Sequence, residues 1–223
     1  MQPSPIVSHD SPICLIGGAR ISQAAFDAAK ERAKAFVAVD SGADFLLGQG
    51  VQPLAVIGDL DSISTAARAA FGDRLCLISE QSTTDFEKAL IRVHAPAVIA
   101  LGFTGGRTDH LLAVLGTLSR HPDKGVVLLD EDDASFVAAA GQTVLSLDQG
   151  MRVSVMPIGY AKAVTLSGVT WSFRDQPMML DGFTSPSNIA EGGMVTLTTS
   201  DPVLVTLPQA QLATALQAAA RAE

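Results

Sequence analysis

The apolar residues in the first half of the chain form short continuous runs, and the segments between them carry apolar residues at helical spacing. Strands covered on both faces read as unbroken apolar runs, and their alternation with helices predicts βα units around a mostly parallel sheet. The predicted strands are ICLIGG, AFVAVD, LAVIGD, RLCLIS, AVIALG and GVVLLD. The predicted helices are SQAAFDAAKERAKA, ADFLLGQG, STAARAAFG, TDFEKALIRVHA and RTDHLLAVLGTLSRH.

The pattern changes in the second half, where short β-rich segments follow one another without a helical stretch between them. These segments are MRVSVMPIG, KAVTLSGVTWSF, PMML, GMVTLTTS and PVLVTLP. Gly, Pro, Asp and Ser separate them, which is typical of a small antiparallel β-sandwich-like domain. We therefore expect a tail at 1–12, an α/β nucleotide-binding domain at 13–138, a smaller β-rich domain at 139–207 and a C-terminal helix at 208–223. The segment AAAGQTVLSLDQG is the predicted hinge.

Composition narrows the possible partners and location. With 48% hydrophobic and 17% charged residues, the 223-residue chain can bury a substantial core. Its net charge of −8 argues against a nucleic-acid partner, because neutralising phosphates requires clustered Lys and Arg. No apolar run reaches the roughly 18 residues of a membrane span, and the N-terminus does not resemble a secretory signal. We expect a cytoplasmic protein that binds neither nucleic acid nor membrane.

Aspartates recur directly after the predicted strands. Asp40 ends AFVAVD, Asp59 and Asp61 follow LAVIG, Asp85 follows RLCLIS, and Asp109 follows AVIALG. Ligands of open α/β sheets bind outside the carboxyl ends of the strands, so several of these acids are expected at one rim. Carboxylate oxygens in such a cluster suit Mg²⁺, whereas no Cys or His lies at zinc-ligand spacing.

Each acidic motif also has a purely structural interpretation. Asp61 or Ser62 is a candidate cap of the helix that starts near Ser64. The segment from Thr84 to Glu87 has the form of a capping box, which would leave Asp85 as a favourable charge at a helix start. The recurrence of acids at the same topological place favours the functional interpretation.

The segment FTGGRTDH suits the binding of phosphate. Gly105 and Gly106 allow the backbone to turn tightly and approach a phosphate, and Arg107 can donate two hydrogen bonds to its oxygens. A simple turn would also account for the glycines. The segment matches neither the Walker A pattern nor G-x-G-x-x-G, which weakens ordinary P-loop and dinucleotide interpretations.

Several motifs together resemble the thiamine pyrophosphokinase family over roughly residues 13 to 207. They are DSGAD, PLAVIGDLDSIS, TTDFEKAL, LGFTGGRTDH, SGVTW, SPSN and GGMVTLTTSDPVLVTL, in the family's order and at about its spacing. The resemblance implies a homodimer with sites at the subunit interface. It also implies transfer of the diphosphate of ATP, the co-substrate, to the hydroxyl of thiamine with Mg²⁺ as cofactor, giving thiamine diphosphate and AMP.

The resemblance also assigns roles to individual residues. The magnesium and catalytic acids are Asp59, Asp61 and Asp85. The nucleotide and phosphate neighbourhood is formed by Asp40, Thr84, Arg107 and Asp109. The thiamine side is formed by Ser185, Ser187 and Asn188. Either Asp85 or Asp109 would accept the proton of the thiamine hydroxyl, and the sequence does not choose between them. Two other functions stay open: a pyrophosphokinase for another hydroxymethyl heterocycle such as a pterin, and a nucleotide-sensing module without turnover.

Overall fold

The structure, a computed structural model, describes residues 3–220, which form two compact units. The first unit comprises the chain up to Val114 together with Leu128–Glu131. The second unit comprises Leu115–Val127 and the chain from Asp132 onwards. Helix α5 (Thr108–Arg120) and strand β8 (Val126–Leu129) therefore each contribute residues to both units.

The first unit is built on a parallel sheet. Its strands are β1 (Val7–Ser8), β2 (Ile13–Ile16), β3 (Ala35–Val39), β4 (Ala55–Gly58), β5 (Leu75–Leu77), β6 (Val93–His94) and β7 (Val98–Leu101). Its helices besides the start of α5 are α1 (Gln23–Arg32), α2 (Gly42–Gly48), α3 (Thr65–Ala70) and α4 (Asp85–Leu90). Strands β5, β4, β3, β2 and β7 pair in that order, all parallel. The pair β1–β6 is separate.

Burial and capping explain why these elements form where the sequence predicts them. Strands β2, β4 and β7 are buried along their whole length, as their unbroken apolar runs indicate. The side chains of Ser22, Ser64 and Thr84 each accept a hydrogen bond from a backbone N–H three residues later and begin α1, α3 and α4. The six predicted strands and five predicted helices of this half are confirmed, except that α4 ends at Leu90 and Val93–His94, predicted as helical, form β6 because they pair with β1.

The second unit consists mainly of antiparallel strands. They are β9 (Asp133–Ala138), β10 (Gly141–Leu147), β11 (Arg152–Pro157), β12 (Ala161–Ser167), β13 (Phe173–Met178), β14 (Ser185–Ile189), β15 (Gly193–Thr199) and β16 (Val203–Pro208). Strands β14, β11, β16 and β9 pair antiparallel in that order, and β10, β15, β12 and β13 form a second antiparallel sheet. Helix α6 (Leu212–Ala219) packs against β9, β10 and β16. The predicted fold class is confirmed.

Three other local expectations also differ from the structure. The stretch AAAGQTVLSLDQG, interpreted as a hinge, contains β10, which pairs with β15 along its whole length. The predicted tail contains the short strand β1, because its backbone pairs with β6. The predicted C-terminal helix begins at Leu212, since Pro208 still belongs to β16. Residues 221–223 of that prediction lie outside the described residues. Within residues 3–220, no helix combines the length and the apolar character that crossing a membrane requires.

Candidate active site

A cavity of about 730 Å³ opens in the first unit where the parallel strands end. Its volume lies in the range of roughly 300–1,000 Å³ that is usual for ligand pockets. The predicted site residues that line it are Asp40, Asp59, Asp61, Thr84, Asp85 and Arg107. Along the chain, these residues follow β3, β4, β5 and β7. Several of the predicted acids therefore lie together at the carboxyl ends of the strands, as expected.

Three of the acids converge on one point. One carboxylate oxygen from each of Asp40, Asp59 and Asp61 lies within 4.8 Å of the other two. Asp40 is buried, and its Oδ1 has no hydrogen-bond partner among the described residues. Burial raises the pKa of Asp40, and the negative charges of Asp85 and Asp61 act in the same direction. A buried carboxylate oxygen without a donor favours a cation as its partner.

The backbone between Asp59 and Asp61 adopts a conformation that is unusual for a leucine. Leu60 is buried with φ of 63°, in the left-handed region, and this brings both flanking carboxylates into one cluster. The guanidinium of Arg68 donates a hydrogen bond of 2.5 Å to the Leu60 carbonyl oxygen. Helix α3 is capped by Ser64, so the alternative that Asp61 or Ser62 caps it is wrong. Asp61 is therefore free of that structural role.

Lys88 connects two of the acids from inside the protein. Its side chain is 2% exposed, and its Nζ lies 2.9 Å from Asp85 Oδ1 and 3.6 Å from Asp59 Oδ2. Burial acts to lower the pKa of Lys88, but the hydrogen bond and charge of Asp85 and the charge of Asp59 outweigh it and hold the pKa above its ordinary value. The backbone N–H of Asp59 also donates to Asp85 Oδ1, at 3.1 Å. Asp85 thus ties the start of α4 to the end of β4.

The loop between β5 and α4 is organised by Glu80. Its carboxylate accepts hydrogen bonds from the backbone and hydroxyl groups of Ser82 and Thr83. These hydrogen bonds, led by the Ser82 hydroxyl, lower the pKa of Glu80 to about 2. From the same loop, the Gln81 amide donates to Asp59 Oδ2 at 3.3 Å. The capping role predicted for Thr84 is confirmed, since its Oγ1 accepts from the Glu87 N–H.

Arg107 and Asp109 form a two-point ion pair. Arg107 Nε and one terminal nitrogen donate to the two oxygens of Asp109, at 3.1 and 2.6 Å. Both side chains are more than half exposed. Arg107 lines the cavity, whereas Asp109 is not among the described residues that line it. The two residues therefore act as a pair, with the carboxylate of Asp109 fixing the plane of the guanidinium.

The predicted thiamine-side residues lie in the second unit, on β14. Asn188 is 1% exposed, and its amide bonds to the Trp171 N–H and carbonyl and to the Ser185 hydroxyl at 2.9–3.2 Å. Ser187 is exposed with φ of 54°, and its N–H donates to Ser154 Oγ. The SPSN segment belongs to a strand, since β14 pairs antiparallel with β11.

Sequence reasoning missed several residues of the cavity. Lys88 was assigned only to a helix, although its position three residues after Asp85 is a signal for a side-chain pair. Gly17 and Gly18 were assigned only to the end of a strand. A Cβ on Gly17 would lie 2.5 Å from the Gly102 carbonyl oxygen, and one on Gly18 would lie 2.2 Å from Ser41 Oγ. The two glycines thus allow the neighbouring segments at Gly102 and Ser41 to approach closely at the cavity lining.

Two family models match the chain. Residues 26–128 match the thiamin pyrophosphokinase catalytic domain, and residues 142–204 match the thiamin pyrophosphokinase vitamin B1 binding domain. The first match contains every predicted catalytic and nucleotide residue, and the second contains every predicted thiamine-side residue.

Individual proteins with the same description are similar over most of the chain. Thiamine pyrophosphokinase 2 of Arabidopsis thaliana is 27% identical over 183 residues, which is 73% of this chain and 68% of the plant protein. The crystal structure of a thiamin pyrophosphokinase from Geobacillus thermodenitrificans has a TM-score of 0.74 at 24% identity, covering 88% of this chain and 96% of the other. The thiamin pyrophosphokinase of Candida albicans has a TM-score of 0.75 at 16% identity, covering 93% and 95%. These structural likenesses support the fold.

Proposed function

Because the chain belongs to the thiamin pyrophosphokinase family, we propose that it transfers the diphosphate of ATP to the hydroxyl of thiamine, giving thiamine diphosphate and AMP. The observation that carries this proposal is the convergence of Asp40, Asp59 and Asp61 in a cavity at the strand ends. Neither alternative function gains support, since the second half of the chain matches a vitamin B1 binding domain.

The metal site we propose differs in one residue from the set implied by the sequence. Asp40, Asp59 and Asp61 would hold Mg²⁺, because their oxygens lie together and Asp40 Oδ1 lacks a donor among the described residues. When bound, Mg²⁺ neutralises charge on the diphosphate and aligns it. Asp85 is assigned a different role, since it does not belong to this cluster of three and its Oδ1 accepts from Lys88 and from the Asp59 N–H.

We propose Asp85 as the group that accepts the proton of the thiamine hydroxyl. Asp85 lines the cavity, whereas the alternative, Asp109, is engaged at both oxygens by Arg107. As the proton moves to the carboxylate, the hydroxyl oxygen bonds to the β-phosphorus. The bond from that phosphorus to the oxygen bridging to the α-phosphate breaks, and AMP leaves with that oxygen. This reaction depends on positioning and charge neutralisation.

The nucleotide side of the site would use residues from three chain segments. Arg107, oriented by Asp109, would donate two hydrogen bonds to phosphate oxygens. Thr84 and Asp40 line the same cavity and would border the nucleotide. Gly105 has φ of 70°, and a Cβ there would meet no atom within 4 Å, so the loop before α5 leaves space for a phosphate.

On the thiamine side, the exposed hydroxyl of Ser187 is the group most available to a ligand. We propose that Asn188 and Ser185 support it, since their hydrogen bonds fix β14 against the backbone at Trp171. Homodimerisation with sites at the subunit interface, and a cytoplasmic location, stay predictions from the sequence. A sedimentation measurement of molecular mass would test the dimer.

The decisive experiment is to incubate the purified protein with ATP, MgCl₂ and thiamine and to quantify AMP and thiamine diphosphate by chromatography. We expect both products in equal amounts, with none when Mg²⁺ is chelated. AMP formed only when a hydroxymethyl pterin replaces thiamine would instead support the alternative acceptor. ATP binding without any AMP would contradict the proposed function.

A further inference from the structure

The acidic cavity is lined by a buried lysine, Lys88, to which the proposed metal site and the proposed proton transfer assign no role. Lys88 is 1% exposed as a residue, and lysine is almost never this buried unless it is paired. Its ammonium donates to Asp85 Oδ1 at 2.9 Å and lies 3.6 Å from Asp59 Oδ2. Asp59 is therefore shared between this ion pair and the carboxylate cluster.

The charges around the cavity explain why such a cation is needed. Asp40, Asp59, Asp61 and Asp85 all line the cavity, and like charges at short range destabilise one another. Arg107 also lines it, but its guanidinium is 71% exposed and already paired with Asp109. In the part of the chain that the structure describes, Lys88 is thus the buried positive charge that lines the cavity with these four acids, and it contacts Asp59 and Asp85.

Within the proposed reaction, we infer that Lys88 is a positioning residue that holds Asp59 and Asp85 in place before a divalent cation binds, and that it competes with this cation for Asp59. Two consequences follow from the geometry. Without Lys88 the acids repel one another, so the metal-free protein is destabilised. A divalent cation then relieves more repulsion in the variant than in the wild type, because it no longer shares Asp59 with an ammonium group.

The test compares thermal unfolding with and without millimolar MgCl₂ at constant ionic strength, in the absence of ATP and thiamine. Lys88→Met removes the charge and keeps much of the side-chain volume. We expect its Tm without Mg²⁺ to fall by roughly 5–10 °C, the scale expected when one partner of a largely buried pair is removed. We expect Mg²⁺ to raise the Tm of this variant by at least about 3 °C more than that of the wild type, by preferential binding to the folded state.

Two matched variants separate the charge of Lys88 from its packing. Lys88→Arg keeps the charge and is expected to show a Mg²⁺ shift near that of the wild type. Lys124→Met removes another buried lysine, which lies outside the cavity lining, and should lower Tm without changing the Mg²⁺ shift. Equal Mg²⁺ shifts for Lys88→Met and the wild type would overturn the inference, because loss of packing alone lowers Tm equally at all metal concentrations.

A double variant allows the same test if Lys88→Met alone does not fold. In Asp85→Asn combined with Lys88→Met, both members of the closest pair lose their charge, and such double replacements are tolerated better than single ones. We expect a larger Mg²⁺ shift for the double variant than for Asp85→Asn alone, and equal shifts would overturn the inference. The unfolding mixtures contain no ATP or thiamine, so their outcome does not depend on turnover. Failure to form AMP in the separate activity assay would count against the proposed function and not against the role of Lys88.

Discussion

In the described part of the chain, one buried carboxylate oxygen in the cavity of the first unit lacks the hydrogen-bond partners that the buried amide on β14 of the second unit possesses. Among the described residues, the buried Oδ1 of Asp40 has no hydrogen-bond partner. Asn188, in contrast, bonds through both atoms of its amide to the backbone at Trp171, and its nitrogen also reaches Ser185. The cavity lies at the ends of parallel strands, and β14 lies at the edge of its sheet. Both regions carry short polar sequence motifs.

The difference teaches how to weigh a buried polar residue. A satisfied group such as Asn188 stabilises the fold, and removing it leaves its partners exposed to a desolvation cost. An unsatisfied group such as Asp40 costs stability and is retained where a ligand will complete it. Substitutions of the carboxylates clustered in the cavity should therefore alter activity more than stability, and those of Asn188 should do the reverse.

The strongest contrast between an effect on activity and an effect on stability is expected from Asp59→Asn. Loss of one carboxylate charge from the cluster should reduce kcat/KM for AMP formation by about 10³-fold or more, on the scale of metal-supplied charge stabilisation. Asp27→Asn, at an exposed position on α1 where the carboxylate accepts from Gln23, is the matched control and should keep full activity. Residual Asp59→Asn activity within about tenfold of the wild type would contradict the metal role.

Asn188→Ala should mainly affect stability. The backbone N–H and carbonyl of Trp171 would lose their partner, so we expect the free energy of unfolding to fall by about 2–3 kcal/mol in denaturant titrations. Ser187→Ala is the comparison variant on the same strand. It should change stability by less than about 0.5 kcal/mol and raise the KM for thiamine by roughly two- to tenfold. A large loss of stability in Ser187→Ala, together with a mainly kinetic effect in Asn188→Ala, would contradict this distinction between the two residues.

Arg68→Ala should produce an intermediate effect on the metal site. Without the hydrogen bond to the Leu60 carbonyl, the left-handed backbone between Asp59 and Asp61 loses its external support. We expect the Mg²⁺ concentration for half-maximal activity to rise by about tenfold, as for other groups that orient metal ligands. Arg74→Ala removes a similar bond, to the Pro53 carbonyl at 2.9 Å, and should leave the Mg²⁺ requirement unchanged. A similar rise in the Mg²⁺ requirement of both variants would argue against a specific role of Arg68 in orienting the metal ligands.

The smallest effect concerns the exposed loop held by Glu80. The pKa of Glu80 is lowered from 4.5 to about 2 by hydrogen bonds from Ser82 and Thr83. A depressed folded-state pKa contributes stability above pH 4.5, and that contribution is lost as the pH falls towards 2. The Tm difference between the wild type and Glu80→Gln should therefore be constant near neutral pH and shrink across this acidic window. A difference that grows on acidification would have the wrong sign.

The regular elements were predictable because burial leaves a direct mark on the sequence. Strands such as β2 and β4 are unbroken apolar runs, and the caps of α3 and α4 are Ser and Thr. Strand β10 was missed because only Leu145 and Leu147 are buried and its other residues are exposed or half-buried, so its apolar signal is short. Strand β1 was missed because a two-residue parallel pair depends on a distant partner and not on local pattern.

The acids of the site were predictable from their place after successive strands, but their grouping was not. The sequence motifs alone do not reveal that Asp40 joins Asp59 and Asp61, because the left-handed turn at Leu60 decides where the carboxylates point. Nor do they reveal that Lys88 is buried beside Asp85, since a helical TDFEKAL segment is compatible with an exposed lysine. Which polar groups are satisfied depends on contacts between distant segments.

The left-handed backbone at position 60 restricts how the chain can vary over evolution. A β-branched residue there, such as Val or Ile, would be penalised by its own backbone even though it matches leucine in hydrophobicity. Glycine or asparagine would accept the dihedral angle but would surrender the apolar contacts of a side chain that is 4% exposed. Descendants of this sequence should therefore keep an unbranched-at-Cβ apolar residue between the two aspartates, so that selection acts on a side chain that need not contact any substrate.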